Sequence, residues 1–213
     1  MSRGHFIAFE GVDGSGTTTQ SRLLASHLRE AGLPVTLTRE PGGTPVAEKI
    51  RQLVLDPSLE GVSPTAELFL YAASRSQHVE EVIAPSLNRG DVVICDRYIA
   101  SSIAYQGYGR GLDLEVIEQV NRLAVGECLP DATIYLLLPV EVAWARLRRR
   151  NVADRLEQTG MALQEKVSRG YQQIAQKDPT GLVFDAQLEI DRLAEGIQDA
   201  LRRQWSWFPE EKK

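Results

Sequence analysis

Lysine is nearly absent from this chain. Its 213 residues include five lysines, Lys49, Lys166, Lys177, Lys212 and Lys213, against 29 Asp+Glu and a net charge of -5. That balance speaks against a protein that coats nucleic acid, because neutralising phosphates needs a basic face, and no nucleic-acid partner is expected. Cysteine is as scarce. Cys95 and Cys128 are too few for a disulfide framework and have no metal-ligand spacing, which fits a reducing, cytoplasmic setting. No apolar run approaches the ~20 residues of a membrane span. The opening MSRGHFIAFEG also has no apolar stretch long enough for a signal peptide, so no membrane association is expected. What remains, at 43% hydrophobic and 25% charged, is the composition of an ordinary globular domain.

Short apolar runs alternate with longer amphipathic ones. Phe6–Phe9, Val35–Thr38, Val92–Cys95, Ile134–Leu138 and Leu182–Phe184 read as five strands, most of them apolar on both faces as in a covered parallel sheet. Helical patterns lie between them. One runs through Gln20, Leu23, Leu24, Leu28 and Ala31 and stops at Gly32-Leu33-Pro34. Others span Pro64 to Leu87, Leu114 to Ala124 and Ile190 to Trp205. Alternation of this kind implies right-handed crossovers and a three-layer α/β sandwich, here as a single domain over residues 1–213.

Directly after the first strand and Glu10 comes Gly11-Val12-Asp13-Gly14-Ser15-Gly16-Thr17-Thr18-Thr19. Glycines let consecutive backbone N–H groups wrap a phosphate, and the following helix N-terminus adds partial positive charge. With 17 glycines in the chain, about one pair at this spacing arises by chance, so the strand before and the helix after carry the assignment. Thr17 stands where a phosphate loop ordinarily has its lysine, the mobile charge that reaches the β- and γ-phosphates. Thr18 still offers a hydroxyl to Mg²⁺, and the N–H cradle is intact. Either an arginine elsewhere supplies the missing charge, or the chain binds nucleotide with little turnover.

Asp96-Arg97-Tyr98 follows the third strand, and ligands of open α/β sheets bind beyond the carboxyl ends of strands. Asp96 can hold Mg²⁺ through water, and Arg97 offers a bidentate fork to a phosphate. Arg146, Arg148, Arg149, Arg150 and Arg155 place five guanidiniums in ten residues, offset by Asp154 alone. Such a cluster reads as a helical lid over transferring phosphates, at about residues 146–160. Tyr71 and Arg75 are four apart on one helix face, an aromatic plane beside a donor, which suits a nucleobase. Tyr105-Gln106-Gly107-Tyr108-Gly109-Arg110-Gly111 reads as a mobile Gly/Tyr loop.

In order, FEGVDGSGTTTQ, TREPGGT, the Tyr71–Arg75 helix, DRYIASSIAYQGYGRG and DRLE resemble the bacterial thymidylate kinases, from about Phe6 to Phe184. That resemblance implies a P-loop NTPase-type sandwich with a five-stranded parallel sheet, flanking helices and a helical lid, usually homodimeric. It implies transfer of the ATP γ-phosphoryl group to dTMP, giving dTDP for dTTP synthesis, with Mg²⁺. In that family's terms, Gly11 to Thr19 bind the ATP phosphates. Asp13 accepts from the deoxyribose 3′-OH, Arg97 holds the dTMP phosphate, and Asp96 with Thr18 organises Mg²⁺. Tyr71 stacks on thymine, Arg75 reads a thymine carbonyl, Ser102 and Gln106 touch the base, and Tyr105 crowds a ribose 2′-OH. Arg39 and Glu40 line the acceptor pocket. The catalytic arginines of the bacterial subtype lie in the lid, matching Arg149, Arg150 and Arg155, with Gly14 where the other subtype has arginine. Two departures stand out: Thr17, which puts the rate in question, and Ser74 in place of a frequent Asp, expected to matter little. A kinase for another monophosphate, such as dUMP or a purine nucleotide, is the remaining enzymatic alternative.

Overall fold

The computed structural model describes residues 3–59, 61–148 and 160–210. Five parallel strands, β1 (Phe6–Gly11), β2 (Val35–Arg39), β3 (Val92–Asp96), β4 (Ala132–Leu137) and β5 (Gly181–Asp185), form one sheet in the order β2-β3-β1-β4-β5. β1 and β3 are buried along their whole length, which explains their unbroken apolar sequences. β5, at one edge, is the most exposed, and its Val183 is half in solvent.

The helices are α1 (Thr17–Glu30), α2 (Pro45–Leu55), α3 (Pro64–His78), α4 (Ala84–Arg89), α5 (Ile99–Ser102), α6 (Leu114–Val125), α7 (Val140–Leu147), α8 (Met161–Lys177) and α9 (Ile190–Gln204). The main core lies between the sheet and α1, α8 and α9, and a second cluster packs Phe6, Ala8, Val93 and Cys95 against Val79, Ile83 and Leu87. The run expected as one helix from Pro64 to Leu87 is continuous but changes pitch. Val79–Ile83 winds as a π-helix just before Pro85, whose missing N–H and bulky ring cannot fit an undistorted α-helical turn.

One expectation needs correction. The Gly/Tyr segment is no mobile loop: Ile103–Gly109 is π-helical, with Ala104, Tyr105, Gln106, Gly107 and Gly109 buried. Gly107 and Gly109 serve close packing, since a Cβ at Gly107 would lie 2.5 Å from Leu114 and one at Gly109 2.9 Å from Leu163 of α8; on the facing side, one on Gly170 of α8 would lie 2.8 Å from the Tyr108 ring. Arg146, where the expected lid segment starts, lies in the last turn of α7 and donates to Gly14 O at 3.2 Å and Ala186 O at 3.0 Å, so it braces the phosphate loop. Arg149, Arg150 and Arg155 lie outside the described residues.

α2, α7 and α8 went unread in the sequence. The buried face of α8 is Leu163, Gln164, Val167, Gly170, Tyr171 and Ala175, where polar and small residues dilute the apolar period. The strand order reverses between β1 and β3, which opens a crevice at their carboxyl ends. Among the described residues, no helix is long and apolar enough to cross a membrane.

Candidate active site

A cavity of about 230 Å³ occupies that crevice. The phosphate loop forms one wall. Gly14 (φ 85°) and Gly16 (φ 95°) take left-handed backbone conformations open chiefly to glycine, and Gly16 is the N-cap of α1. Asp13, Gly14, Gly16, Thr17, Thr18 and Thr19 line the cavity. Gly11 ends β1 behind them, Val12 belongs to the core, and Ser15 is buried. Thr17 is the first residue of α1, 5% exposed.

Thr18 Oγ1 donates to Asp96 Oδ2, while Asp96 Oδ1 is buried with no hydrogen-bond partner among the described residues. A hydroxyl beside a carboxylate with one unsatisfied oxygen suits Mg²⁺, which keeps several waters and takes one or two protein ligands beside phosphate oxygens. Among the described residues no group of three or more His, Cys, Asp or Glu gathers as a metal cage.

Arg97 and Asp13 face each other across the cavity floor. Arg97 Nη2 donates to Asp13 Oδ1 at 2.7 Å, and its Nη1 bonds Gly11 O and, at 3.1 Å, the Tyr171 hydroxyl. Tyr105 donates to Asp13 Oδ2 at 2.6 Å and lies under the guanidinium, 5.7 Å from ring centre to Arg97 Cζ. Burial is the largest influence on Arg97 and works against its charge. Tyr105, Asp13, Tyr171 and Asp96 together outweigh it and hold its pKa well above the ordinary value. Burial also drives the Tyr105 hydroxyl well above its usual range, with Asp13 adding to the effect, so it remains a donor.

Arg75 is 2% exposed and holds the opposite wall together. Its Nε donates to Glu40 Oε2 at 2.7 Å, its Nη1 to Ser102 Oγ at 3.0 Å and Asn121 Oδ1 at 2.5 Å, and its Nη2 to Tyr98 O at 2.9 Å. Among the described residues, one N–H on Nη2 has no acceptor. The other Glu40 oxygen meets His78 Nδ1 at 3.1 Å, so Glu40 serves chiefly as the anchor of Arg75. Gln106 Nε2 donates to the fully buried Glu67 at 2.9 Å, and Arg110 pairs with the same carboxylate. Tyr71, Arg39, Ser102 and Gln106 line the cavity, but Arg39 also forks onto Glu48 at 2.8 and 3.1 Å. Ser74, expected to matter little, is fully buried and accepts from Gly42 N at 3.2 Å, tying α3 to the Glu40–Gly43 turn.

Sequence reasoning thus named most of the lining but missed Pro41, Arg51, Leu55 and Ser101. It also missed Glu10, Gln164 and Tyr171, which stand directly behind the lining and touch it. Glu10 carried a signal, a carboxylate at the end of an otherwise apolar buried strand.

Comparison with known proteins agrees with this geometry. The family model described as thymidylate kinase matches residues 9–197. A thymidylate kinase of Syntrophotalea carbinolica is 45% identical over 199 residues, covering 90% of this chain and 92% of that protein. One from Trichodesmium erythraeum is 44% identical over 210 residues, covering 92% and 93%. The crystal structure of a thymidylate kinase from Ehrlichia chaffeensis superposes with a TM-score of 0.78 at 36% identity, covering 93% of this chain and 99% of that one. On a family match that runs from β1 into α9, and on the shared fold, the chain belongs to the thymidylate kinase family.

Proposed function

We propose that this chain transfers the γ-phosphoryl group of ATP to dTMP, giving dTDP. The observation that carries the reading is the convergence of two pairs, Thr18–Asp96 and Arg97–Asp13, on one cavity at the strand-order reversal. The backbone N–H groups of the phosphate loop cradle the ATP phosphates. Thr18 and Asp96 are the residues that would hold Mg²⁺, which when bound neutralises charge on the β- and γ-phosphates.

On the acceptor side, Arg97 receives the dTMP phosphate and Asp13 the 3′-hydroxyl. Tyr105, pinned to Asp13, fills the space a ribose 2′-hydroxyl would need. Tyr71 stacks on thymine, and the remaining Nη2 hydrogen of Arg75 meets a base carbonyl. Ser102 and Gln106 complete the base contacts, and Arg39 and Glu40 wall the pocket. Because the phosphoryl group needs little covalent help, the protein works by in-line positioning and charge neutralisation. The segment carrying Arg149, Arg150 and Arg155 joins α7, whose Arg146 bonds Gly14 O, to α8, whose Gln164 donates to Asp13 at 3.4 Å. Both flanks abut the phosphate loop, which supports a lid role for those arginines.

The test is ADP release with each nucleoside monophosphate in turn, read beside calorimetric titration. A plane and a single carbonyl-reading donor favour dTMP over dCMP and dAMP, and equal affinities for all three would remove the base-reading role of Tyr71 and Arg75.

The free thiols Cys95 and Cys128 support a reducing, cytoplasmic setting. A homodimer is supported by apolar side chains exposed along the packed α2, α3 and α6: Leu53 at 45%, Phe69 at 56% and Leu123 at 87%. Phe69→Glu with Leu123→Glu is expected to yield a monomer by analytical ultracentrifugation; an unchanged sedimentation coefficient would place the interface elsewhere.

A further inference from the structure

Glu10 is fully buried at the end of β1, beneath the phosphate-binding arginine, and no step of the reaction described above uses it. Its carboxylate accepts from four donors. Tyr98 N (2.8 Å) and Ser101 N (3.1 Å) reach Oε1, while Ser101 Oγ (2.6 Å) and Tyr171 Oη (3.0 Å) reach Oε2. Burial pushes the Glu10 carboxyl upward, and the bonds from Ser101, Tyr98 and Tyr171, with Arg97 nearby, oppose it. All of these groups favour the charged carboxylate, an arrangement suited to orienting donors.

Tyr171 passes that orientation on. With its hydrogen given to Glu10, its lone pairs are left to accept Arg97 Nη1 at 3.1 Å. A hydroxyl held between a carboxylate and a guanidinium is polarised from both sides, which strengthens each bond. Glu10 also acts on the main chain. Arg97 has φ 74°, a left-handed conformation rare outside glycine, and such residues persist where their surroundings over-determine them. The peptide N–H before that carbon donates to Phe9 O at 2.8 Å, and the next, of Tyr98, donates to Glu10. Adjacent residues of β1 therefore fix the backbone on both sides of Arg97.

We propose that Glu10 and Tyr171 are positioning residues for Arg97, fixing the direction in which its guanidinium meets the acceptor phosphate. The proposal rests on Arg97 binding the dTMP phosphate. It also gives α8, the helix that follows residues 149–159, a direct hold on that arginine.

The experiment compares dTMP with thymidine, which has the same base and sugar but no phosphate, by calorimetric titration of Tyr171→Phe, Glu10→Gln and Arg97→Ala. Tyr171→Phe keeps the buried ring and removes only the hydroxyl. It is expected to weaken dTMP about tenfold, the effect of losing one hydrogen bond to a charged group, while thymidine affinity and the KM for ATP stay unchanged. Glu10→Gln should shift the dTMP-to-thymidine ratio in the same direction even if it also lowers Tm. Adding Tyr171→Phe to Arg97→Ala should cost nothing further in dTMP affinity, as expected for a residue acting through another. If Tyr171→Phe weakens both ligands equally, or neither, while Arg97→Ala weakens dTMP alone, the positioning role is overturned and the phosphate role of Arg97 stands. If Arg97→Ala leaves the ratio unchanged, the phosphate role itself fails and the proposal falls with it.

Discussion

Arg75→Met is expected to destabilise the fold by about 3–5 kcal/mol, the usual consequence of removing one member of a buried ion pair. In a chain of this length that lowers Tm by about 6–20 °C. The reason is the company Arg75 keeps. It is 2% exposed and bonds Glu40, Ser102, Asn121 and the Tyr98 carbonyl, joining α3 to the β2 end, α5 and α6. Methionine fills much of the same volume but leaves the Glu40 carboxylate, 5% exposed, with His78 as its one side-chain partner among the described residues. The paired variant Glu40→Gln/Arg75→Met separates this from lost packing, because removing the stranded charge restores part of the stability. Thermal unfolding of the two single variants and the double variant measures it. Strict additivity would mean that Glu40 and Arg75 are not energetically coupled. On the base contact proposed for Arg75, the dTMP affinity of Arg75→Met should fall as well.

This double duty explains what was legible in the sequence and what was not. Tyr71 and Arg75 were recognisable as one helix face because spacing of four fixes that. The partners of Arg75 were not, since Glu40 and Asn121 lie 35 and 46 residues away and meet it only through the sheet order. The strands were readable because burial on both faces leaves an unbroken apolar signature, as in Val92–Cys95. α8 was not, because its inward face includes Gln164, Gly170 and Tyr171, residues chosen for contacts with Asp13, Tyr108 and Glu10. The glycines of Tyr105–Gly111 misled for a related reason. In a sequence, glycine for mobility and glycine for close approach look alike, and only the neighbours tell them apart: Leu114 and Ile117 at Gly107, Leu163 and Val167 at Gly109. Glu10 was visible as a lone carboxylate closing an apolar strand, but its function depends on Tyr171, 161 residues away.

Thr17→Lys is expected to raise kcat at least about tenfold while changing nucleotide Kd much less. On the proposed reading, the phosphate loop grips its ligand mainly through main-chain N–H groups, which the substitution leaves in place at the N-terminus of α1. What Thr17 lacks is a cation where charge shifts as the γ-phosphoryl group moves, and one preorganised donor of that kind is typically worth about 10²–10³ in turnover. Thr17 lines the cavity, so a lysine stem there has open space to enter. Several described arginines near the cavity are held elsewhere. Arg146 is turned to the carbonyls of Gly14 and Ala186, Arg97 is committed to Asp13, Gly11 and Tyr171, Arg75 to Glu40, Ser102, Asn121 and the Tyr98 carbonyl, Arg39 to Glu48, and Arg51 donates to Pro41 O. Steady-state kinetics with ATP and dTMP, beside ADP titration of both proteins, measure the effect. A rise confined to kcat marks a contact made in the transition state and absent from the ground state. An unchanged kcat would assign the missing charge to Arg149, Arg150 or Arg155. In that case replacing each of the three with methionine in the Thr17 protein should identify the arginine that stands in for the lysine, by a fall in kcat of the same size.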